Sequence, residues 1–552
     1  MTIGLASIGR FAVRALGLAA LAAGAPLTAA APAAAQARAD VVPYLEVQQV
    51  LTADLDGGEV LTYTSIAAGV DARVTTRRVE AQISYRYEHR VAWNDDVTND
   101  SVHNGVAQAR VQIVPDMLSL DGGALAARSR TDGRGPLFGF NSADDANISQ
   151  VYSLYAGPTL STQVGPFSVG AAYRLGYVQV DEDRRGFGLP AGQPSLDRYD
   201  SSVGHNLSGS IGMGPGHLPF GWTVGAGYVR EDTNRLDQRY EGAYLRGDVV
   251  VPVSPTFAVT AGVGYETIEQ TQQDFRRDAN GFPVVTPGGR LVADPSRPRL
   301  TAYDEDGVIW DAGLIWRPTR RTELEARIGR RYGGTSYTGS FRHQLNPESA
   351  IRANIYDSVS SFGRQVVGDL AALPVNFQVN DNNPLNPGVG GIGGCVFGSE
   401  AGTGVCFDDA FQSVNTANFR NRGANLIFSG GRGTIGYGLG AGYSNRKYFA
   451  PRFADNSFSL DGVVDESFTL AGNVSRELSR SSGVALDAFA SWTDSGIAGA
   501  DTAFGTGVTG SYYRRFLLDR LQFRAAVGLY TTDSGQFDST GASALVGFRY
   551  RF

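Results

Sequence analysis

The sequence ends in Ala544-Leu545-Val546-Gly547-Phe548-Arg549-Tyr550-Arg551-Phe552, and this stretch decides the fold. Val546, Phe548, Tyr550 and Phe552 share one face of an extended chain, while Arg549 lies on the other, because successive side chains of a β-strand point to opposite sides. The alternation of apolar and charged residues therefore predicts a strand that is apolar on one face only.

This ending resembles the C-terminal assembly signal of bacterial outer-membrane β-barrels, in which a terminal aromatic residue and alternating apolar residues are recognised. In that resemblance, Val546, Phe548, Tyr550 and Phe552 form the assembly signal. The partners that it implies are the barrel assembly machinery, periplasmic chaperones, and outer-membrane lipid and lipopolysaccharide. The last strand is expected to pair with the first, which leaves no open sheet edge. The alternative is an edge strand of a soluble β-sandwich.

The first residues predict export from the cytoplasm. Arg10 and Arg14 precede an apolar run over residues 15–23, and Ala35-Gln36-Ala37 offers a cleavage site of small residues. We therefore expect a secretory signal peptide over residues 1–37 and a barrel over residues 38–552, located in the outer membrane of a Gram-negative bacterium. A retained transmembrane helix is the alternative, although the apolar run is short for one.

The interior segments follow a period of two over the whole chain. In residues 78–88, apolar and aromatic residues alternate with charged and polar ones, and the pattern recurs at 167–177, 257–265, 308–316, 324–332, 484–492 and 521–529. We predict an all-β fold: a transmembrane, antiparallel, up-and-down β-barrel of about 22 strands, within a range of roughly 16 to 26. Short links, such as 164–166 and 518–520, are the predicted periplasmic turns. Long ones, at 182–199, 268–306, 361–416 and 445–465, are the predicted extracellular loops.

Glycine is the most informative component of the composition. It supplies 71 of the 552 residues, nearly twice the usual share of about 7%. In residues 434–443, glycine holds one whole strand face and large residues hold the other. This favours a wide barrel whose inner face leaves room for water or for a loop folded inside. The formal net charge of −7, with both signs present, argues against a nucleic-acid partner.

Charged residues at mid-strand positions mark the predicted inner face, because charge is costly toward lipid and cheap toward water. They can line an open conduit, or they can pair across the lumen and close it, and the sequence leaves both possibilities open. The predicted lumen-lining residues are Arg78, Glu80, Arg86, Glu88, Arg110, Arg174, Arg246, Glu266, Asp311, Glu325, Arg327, Arg352, Asp487, Arg524 and Arg549.

Sites with recognisable chemistry are few. Cys395 and Cys406 lie in the longest predicted loop and are expected to form a disulfide in an oxidising compartment. The five histidines show no spacing typical of a catalytic or metal site. We expect no cofactor, no metal and no enzymatic activity. The weak alternative, a barrel enzyme, would use His89 with Asp95 and Asp96.

Two functions remain: a conduit for a polar solute, and a closed structural or adhesive barrel that acts through its loops. The hairpin over residues 337–359 and the Arg86-Tyr87-Glu88 stretch resemble the barrel family associated with exopolysaccharide and PEP-CTERM/exosortase loci. That resemblance implies a role in exopolysaccharide export, with polysaccharide as a partner, and it transfers no site residue. A TonB-dependent transporter is disfavoured, since no plug-sized domain is expected before the first strand near Tyr44.

Overall fold

The computed structural model describes residues 38–552, except 59, 94–99, 132–147, 183–198, 287–289, 379–382, 386–393, 408, 415, 452–458, 498–500 and 536–537. The expected signal peptide, residues 1–37, lies outside the described residues, as does most of the long link at 182–199.

Almost every regular element is a β-strand, as the period of two predicts. Within the described ranges, the helical elements are one α-helix, α1 (Phe362–Ala372), and two 3₁₀ turns, Arg235–Asp237 and Ala410–Gln412. The strands are β1 Arg38–Asp54, β2 Val60–Thr75, β3 Val79–Ala92, β4 Asp100–Val114, β5 Leu118–Arg130, β6 Ile148–Val164, β7 Phe167–Glu182, β8 Ser201–Met213, β9 Gly221–Thr233, β10 Gln238–Ser254, β11 Phe257–Gln272, β12 Leu300–Thr319, β13 Thr322–Arg331, β14 Gly334–Asn346, β15 Ser349–Ser360, β16 Cys395–Phe397, β17 Gly404–Cys406, β18 Asn418–Arg432, β19 Ile435–Phe449, β20 Val464–Ser479, β21 Ser482–Asp494, β22 Ala503–Phe516, β23 Leu521–Asp533 and β24 Ser539–Arg551.

A closed ring of 22 antiparallel strands forms the barrel, which confirms the predicted fold class. Each strand pairs with the next along the chain, and β15 pairs directly with β18. The ring closes between β1 and β24, where Glu46 faces Arg549 and Val47 faces Phe548. Closure removes both edges of this sheet, so every strand of the ring has two hydrogen-bonded neighbours.

The two faces of the wall differ in chemistry. On the outward face of β24, Val546 and Phe548 are 54% and 52% exposed, and on β23 Val527 and Leu529 are exposed as well. On the inward face of the same strands, Arg524 and Arg549 are buried. An apolar outside around a polar inside is the arrangement that a membrane-spanning barrel requires.

Links at the two ends of the barrel differ in length. At the end that holds the links β2–β3, β4–β5 and β6–β7, which we call the short-turn end, neighbouring strands are joined by a few residues. The opposite, long-loop end holds the long links. Not every link there is long: Tyr332 and Gly333 alone join β13 to β14, both at positive φ, the backbone conformation of a two-residue hairpin turn.

The longest link, between β15 and β18, covers residues 361–417, and we call it the inner segment. Its described residues pack against the inner wall. It contains α1 and the small hairpin β16–β17. Cys395 faces Cys406 in that hairpin, and a disulfide joins them. Among the described residues, no helix combines the length and the apolar character needed to cross a bilayer.

Candidate functional site: the lumen and its inner segment

The strand register shows where the predicted lumen-lining residues lie. Arg78 is part of the turn before β3 rather than of a strand. The remaining positions share the inward-facing parity of their strands: Glu80, Arg86, Glu88, Arg110, Arg174, Arg246, Glu266, Asp311, Glu325, Arg327, Arg352, Asp487, Arg524 and Arg549. They fall into separate groups rather than one site.

One group spans the seam where the barrel closes. Glu46 accepts hydrogen bonds from Arg86 Nε at 2.9 Å, from Arg524 Nη1 at 2.8 Å and from Arg549 Nε. Arg86 also pairs with Glu88. All of these side chains are buried, so the charges stabilise the wall only as a complete set. Sequence reasoning did not single out Glu46, although its register opposite Arg549 would have identified it.

A second group lies on β10, β12 and β13 and is more open to water. Arg246 contacts Asp248 at 2.7 Å and Asp311 at 2.5 Å, while Arg327 contacts Asp248 at 2.8 Å and Glu325 at 2.8 Å. Side chains in this group are between 17% and 35% exposed. Asp248, which the sequence analysis did not name, joins the two arginines and gives this stretch of wall alternating charge.

The inner segment is held against one side of the wall by apolar contacts. Phe362, Val366 and Leu370 of α1 are almost fully buried and belong to a cluster that includes wall residues of β4 to β7. A Cβ on Gly176 of β7 would contact the side chain of Val367, so glycine at 176 lets the helix approach the strand closely. Burial of this apolar area is the main force that keeps α1 inside the barrel.

Hydrogen bonds from the wall fix the path of the inner segment. Gln108 donates to the carbonyl of Leu370, at the end of α1, and Gln82 Nε2 donates to the carbonyl of Phe377 at 2.7 Å. Wall side chains thus satisfy backbone groups that would otherwise lie unpaired inside the barrel. These bonds are specific to the docked position of the segment.

The disulfide hairpin rests on the glycine face of β19. A Cβ on Gly440 would overlap the sulfurs of both Cys395 and Cys406, and a Cβ on Gly438 would meet the ring of Phe397. The glycine run therefore has a steric role: it makes room for the hairpin. Its pattern suggested space for a folded-in loop, and the structure shows which part of the chain occupies that space.

The first turn of α1 is anchored by polar contacts. Ser361 caps the helix by accepting a hydrogen bond from the Arg364 amide at 3.1 Å, and Ser361 also donates to Glu231 of β9. Arg364 Nε lies 3.3 Å from the same carboxylate. The cap, the ion pair and the wall strand thus position the start of the helix together.

Asp409 forms a buried polar contact on the inner segment. Gln365 of α1 donates to its carboxylate at 2.5 Å and the Tyr356 hydroxyl of β15 donates at 3.2 Å. Burial raises the pKa of Asp409 above its usual range, and the opposing charge of Arg446 offsets only part of that effect. The protonation of one carboxyl is therefore coupled to docking of the segment.

Alongside α1 the lumen keeps a cavity of about 360 Å³ between the helix and the wall, lined by β7 to β11 and by the ends of β13 and β15. Arg174, Glu266 and Arg331 line it from the wall and Arg364 lines it from the helix. The lumen is thus partly filled by protein and partly a polar space, which is suited to holding a small hydrated molecule.

Of the residues named for the alternative enzyme site, the structure describes only His89. His89 lies on the outward face of β3, with Nδ1 3.0 Å from the Ser101 hydroxyl, and Asp95 and Asp96 lie outside the described residues. In the part of the chain that the structure describes, no three His, Cys, Asp or Glu side chains are grouped so that they could hold a metal ion.

The chain matches no protein-family model, and no curated protein is significantly similar to it. Its fold is similar to that of solved barrels. The FrpB iron transporter from Neisseria meningitidis is 8% identical with a TM-score of 0.45 over 93% of this chain and 83% of that one. The open form of the ferric-catecholate import receptor Fiu from E. coli is 10% identical with a TM-score of 0.45 over 92% and 81%. The copper transporter OprC is 11% identical with a TM-score of 0.42 over 95% and 82%. What these structures share with this chain is the fold.

Proposed function

We propose that this protein is an outer-membrane conduit for small polar solutes, and that the inner segment limits the size of what passes. The observation that carries the proposal is the inner segment itself, docked by α1 and by its disulfide hairpin against an otherwise polar, charged inner wall. The apolar outward face supports placement in a lipid bilayer.

Partial filling of the lumen favours small solutes over polymers. The docked segment occupies the inner faces of β4 to β7 through α1 and of β19 through the hairpin. An exopolysaccharide chain would need the segment to leave the lumen, with loss of the buried contacts of Phe362, Val366 and Leu370. A role in exopolysaccharide export therefore requires a large rearrangement, whereas passage of a small solute does not.

A closed adhesive barrel is the second candidate, and one surface feature favours it. The link between β11 and β12 exposes Phe282 and Val285, which are 67% and 55% exposed. Its base is ordered by Asp274, which binds Arg277 at 2.9 Å and Arg297 at 2.8 Å. Burial alone would raise the pKa of Asp274, yet the hydrogen bonds from the two arginines outweigh it and lower that pKa. An ordered loop with an apolar tip is suited to binding a partner.

Permeability separates the two candidates. The full-length protein would be refolded into phospholipid vesicles, and entry of a size series of neutral polyols and oligosaccharides would be followed by osmotic swelling. We expect small polyols to enter faster than into protein-free vesicles, with a sharp size limit. A variant in which residues 362–411 are replaced by a short Gly/Ser linker should raise that limit. Swelling no faster than in protein-free vesicles for every solute would overturn the conduit and favour the adhesive barrel.

A further inference from the structure

The cavity beside α1 has features of a binding site and not only of a passage. Its volume of about 360 Å³ lies within the range of pockets that hold small organic molecules, roughly 300 to 1,000 Å³. Wall strands and the start of α1 both contribute to it, so its shape depends on docking of the inner segment. A molecule bound there would contact both.

The charge of the lining favours an anion. The charged residues around the cavity are the arginines Arg174, Arg331 and Arg364 and the carboxylates Glu231 and Glu266, which leaves one positive charge in excess. Arg331 pairs with Glu266 and Arg364 pairs with Glu231. Arg174 stands over the Tyr155 ring at 5.4 Å and, among the described residues, contacts no carboxylate. Its guanidinium is placed to bind a carboxylate from a ligand.

Three polar atoms that belong to residues lining the cavity are buried and lack a hydrogen-bond partner among the described residues. They are Oε1 of Glu231, Oε1 of Glu266 and Nη2 of Arg364. Glu231 and Glu266 are only 2% and 4% exposed. An unpaired buried polar group is destabilising, so such groups gain when a ligand supplies the partner. Two acceptors and one donor match a molecule that carries hydroxyl groups as well as an anionic group.

We propose that this cavity binds a small hydroxylated monocarboxylate. The carboxylate is held by Arg174 and by the Nη2 donor of Arg364, and ligand hydroxyls donate to the free oxygens of Glu266 and Glu231. The rings of Tyr240 and Tyr244, which also line the cavity, cover the carbon skeleton. The inference rests on the proposed function in one respect: it names the solute class that the conduit selects.

Three six-carbon probes test the two halves of the recognition separately. D-gluconate carries both the anion and the hydroxyls, sorbitol carries the hydroxyls alone, and hexanoate carries the anion alone. Binding to the full-length protein in detergent would be measured by isothermal titration calorimetry. We expect D-gluconate to bind at least about tenfold more tightly than either other probe, since each lost charged hydrogen bond costs more than the 1.4 kcal/mol that equals a factor of ten.

Two variants and one control assign the binding to this cavity. Arg174→Gln should weaken D-gluconate binding at least about tenfold, because it removes the guanidinium without breaking an ion pair of the described residues. Gly368→Leu should abolish binding by filling the cavity, since a Cβ on Gly368 meets no atom within 4 Å. Arg352→Gln removes an inward arginine that does not line the cavity and should bind like the native protein.

The outcomes distinguish this inference from the conduit itself. Equal affinity for the three probes, no measurable D-gluconate binding, or equal losses in Arg174→Gln and Arg352→Gln would each overturn the binding site. Retained heat-modifiable mobility on electrophoresis shows that each variant is folded. A protein that admits small polyols into vesicles but does not bind D-gluconate remains a conduit without this site, whereas binding without permeability rejects the conduit alone.

Discussion

Glu46 of β1 lies directly opposite Arg549 of β24, and the two side chains form a buried ion pair across the seam that closes the barrel. Arg549 also stands over the Tyr44 ring at 4.1 Å. Arg86 and Arg524 bind the same carboxylate. Side chains of strands from both ends of the chain therefore form ion pairs with Glu46. The seam is therefore secured by side chains on its inner face as well as by backbone hydrogen bonds.

Replacing Glu46 by glutamine should destabilise the barrel strongly. The variant keeps the shape of the side chain but leaves the arginines around it without their shared buried counter-charge. Breaking a buried ion pair in this way costs about 3–5 kcal/mol. The free energy of unfolding in urea, measured on protein refolded in vesicles, gives the value directly.

Glu325→Gln is the matched control, because it makes the same change on the inward face where the side chain is 35% exposed. Its partner Arg327 keeps Asp248, so the expected loss is about 1 kcal/mol or less. If the two variants lose equal stability, the seam cluster has no special role in closure.

Replacing Gly440 by alanine should loosen the disulfide hairpin without opening the wall. The added Cβ would overlap both sulfurs, while β19 keeps its pairing with β18 and β20. Overpacking of this kind costs about 1–3 kcal/mol, which shifts the balance between docked and released hairpin by roughly 5- to 150-fold. Planar-bilayer recordings should show a larger or more frequent open level.

Gly442→Ala supplies the comparison on the same strand face. There the nearest atom to an added Cβ is the Thr469 hydroxyl at 3.2 Å, a milder contact than the overlap with two sulfurs at Gly440. Its conductance should match that of the native protein. Identical recordings from the two variants, both folded, would show that the hairpin does not limit conduction.

Docking of the inner segment should weaken as pH rises, through Asp409. Its pKa is raised in the docked state. Ionisation of this carboxyl therefore favours release of the segment over the pH range from about 4, where an exposed aspartate ionises, up to the pKa of the docked state. Below that window the carboxyl is neutral in both states and docking is at its strongest. Conductance should therefore increase with pH across the window.

Asp409→Asn should remove this component of the pH dependence, because the amide stays neutral and still accepts from Gln365. The groups that face Asp409 are Tyr356, Gln365 and Arg446, and all of them remain in the variant. Asp278→Asn, in the link between β11 and β12, is the control and should keep the native pH profile. An unchanged profile in Asp409→Asn would assign the dependence to another group.

The sequence predicts the strands of the barrel wall better than it predicts the inner segment. Phe548 and Arg549 were placed on opposite faces by their period of two alone, and the register with β1 follows from closure of the ring. Docking of α1 was not predictable in the same way, because the positions of Phe362 and Val366 depend on wall residues far away in the sequence. The glycine face that contains Gly440 indicated room for a loop inside the barrel. Periodicity does not indicate which loop fills that room.

A charge on the outward face of the last strand should destabilise the barrel according to its depth. Val546 points outward near the middle of β24 and is 54% exposed. Arginine at the bilayer midplane of a barrel costs about 2–4 kcal/mol and falls to about 0–1 kcal/mol near the interface. Val546→Arg should lower the free energy of unfolding by the larger amount. Thr540→Arg, on the same face near the long-loop end, should lower it by the smaller amount. Both values come from unfolding in urea from phospholipid vesicles. Equal losses at the two positions would mean that the outward face of β24 does not cross the hydrocarbon layer, and the orientation of the strand would have to be revised.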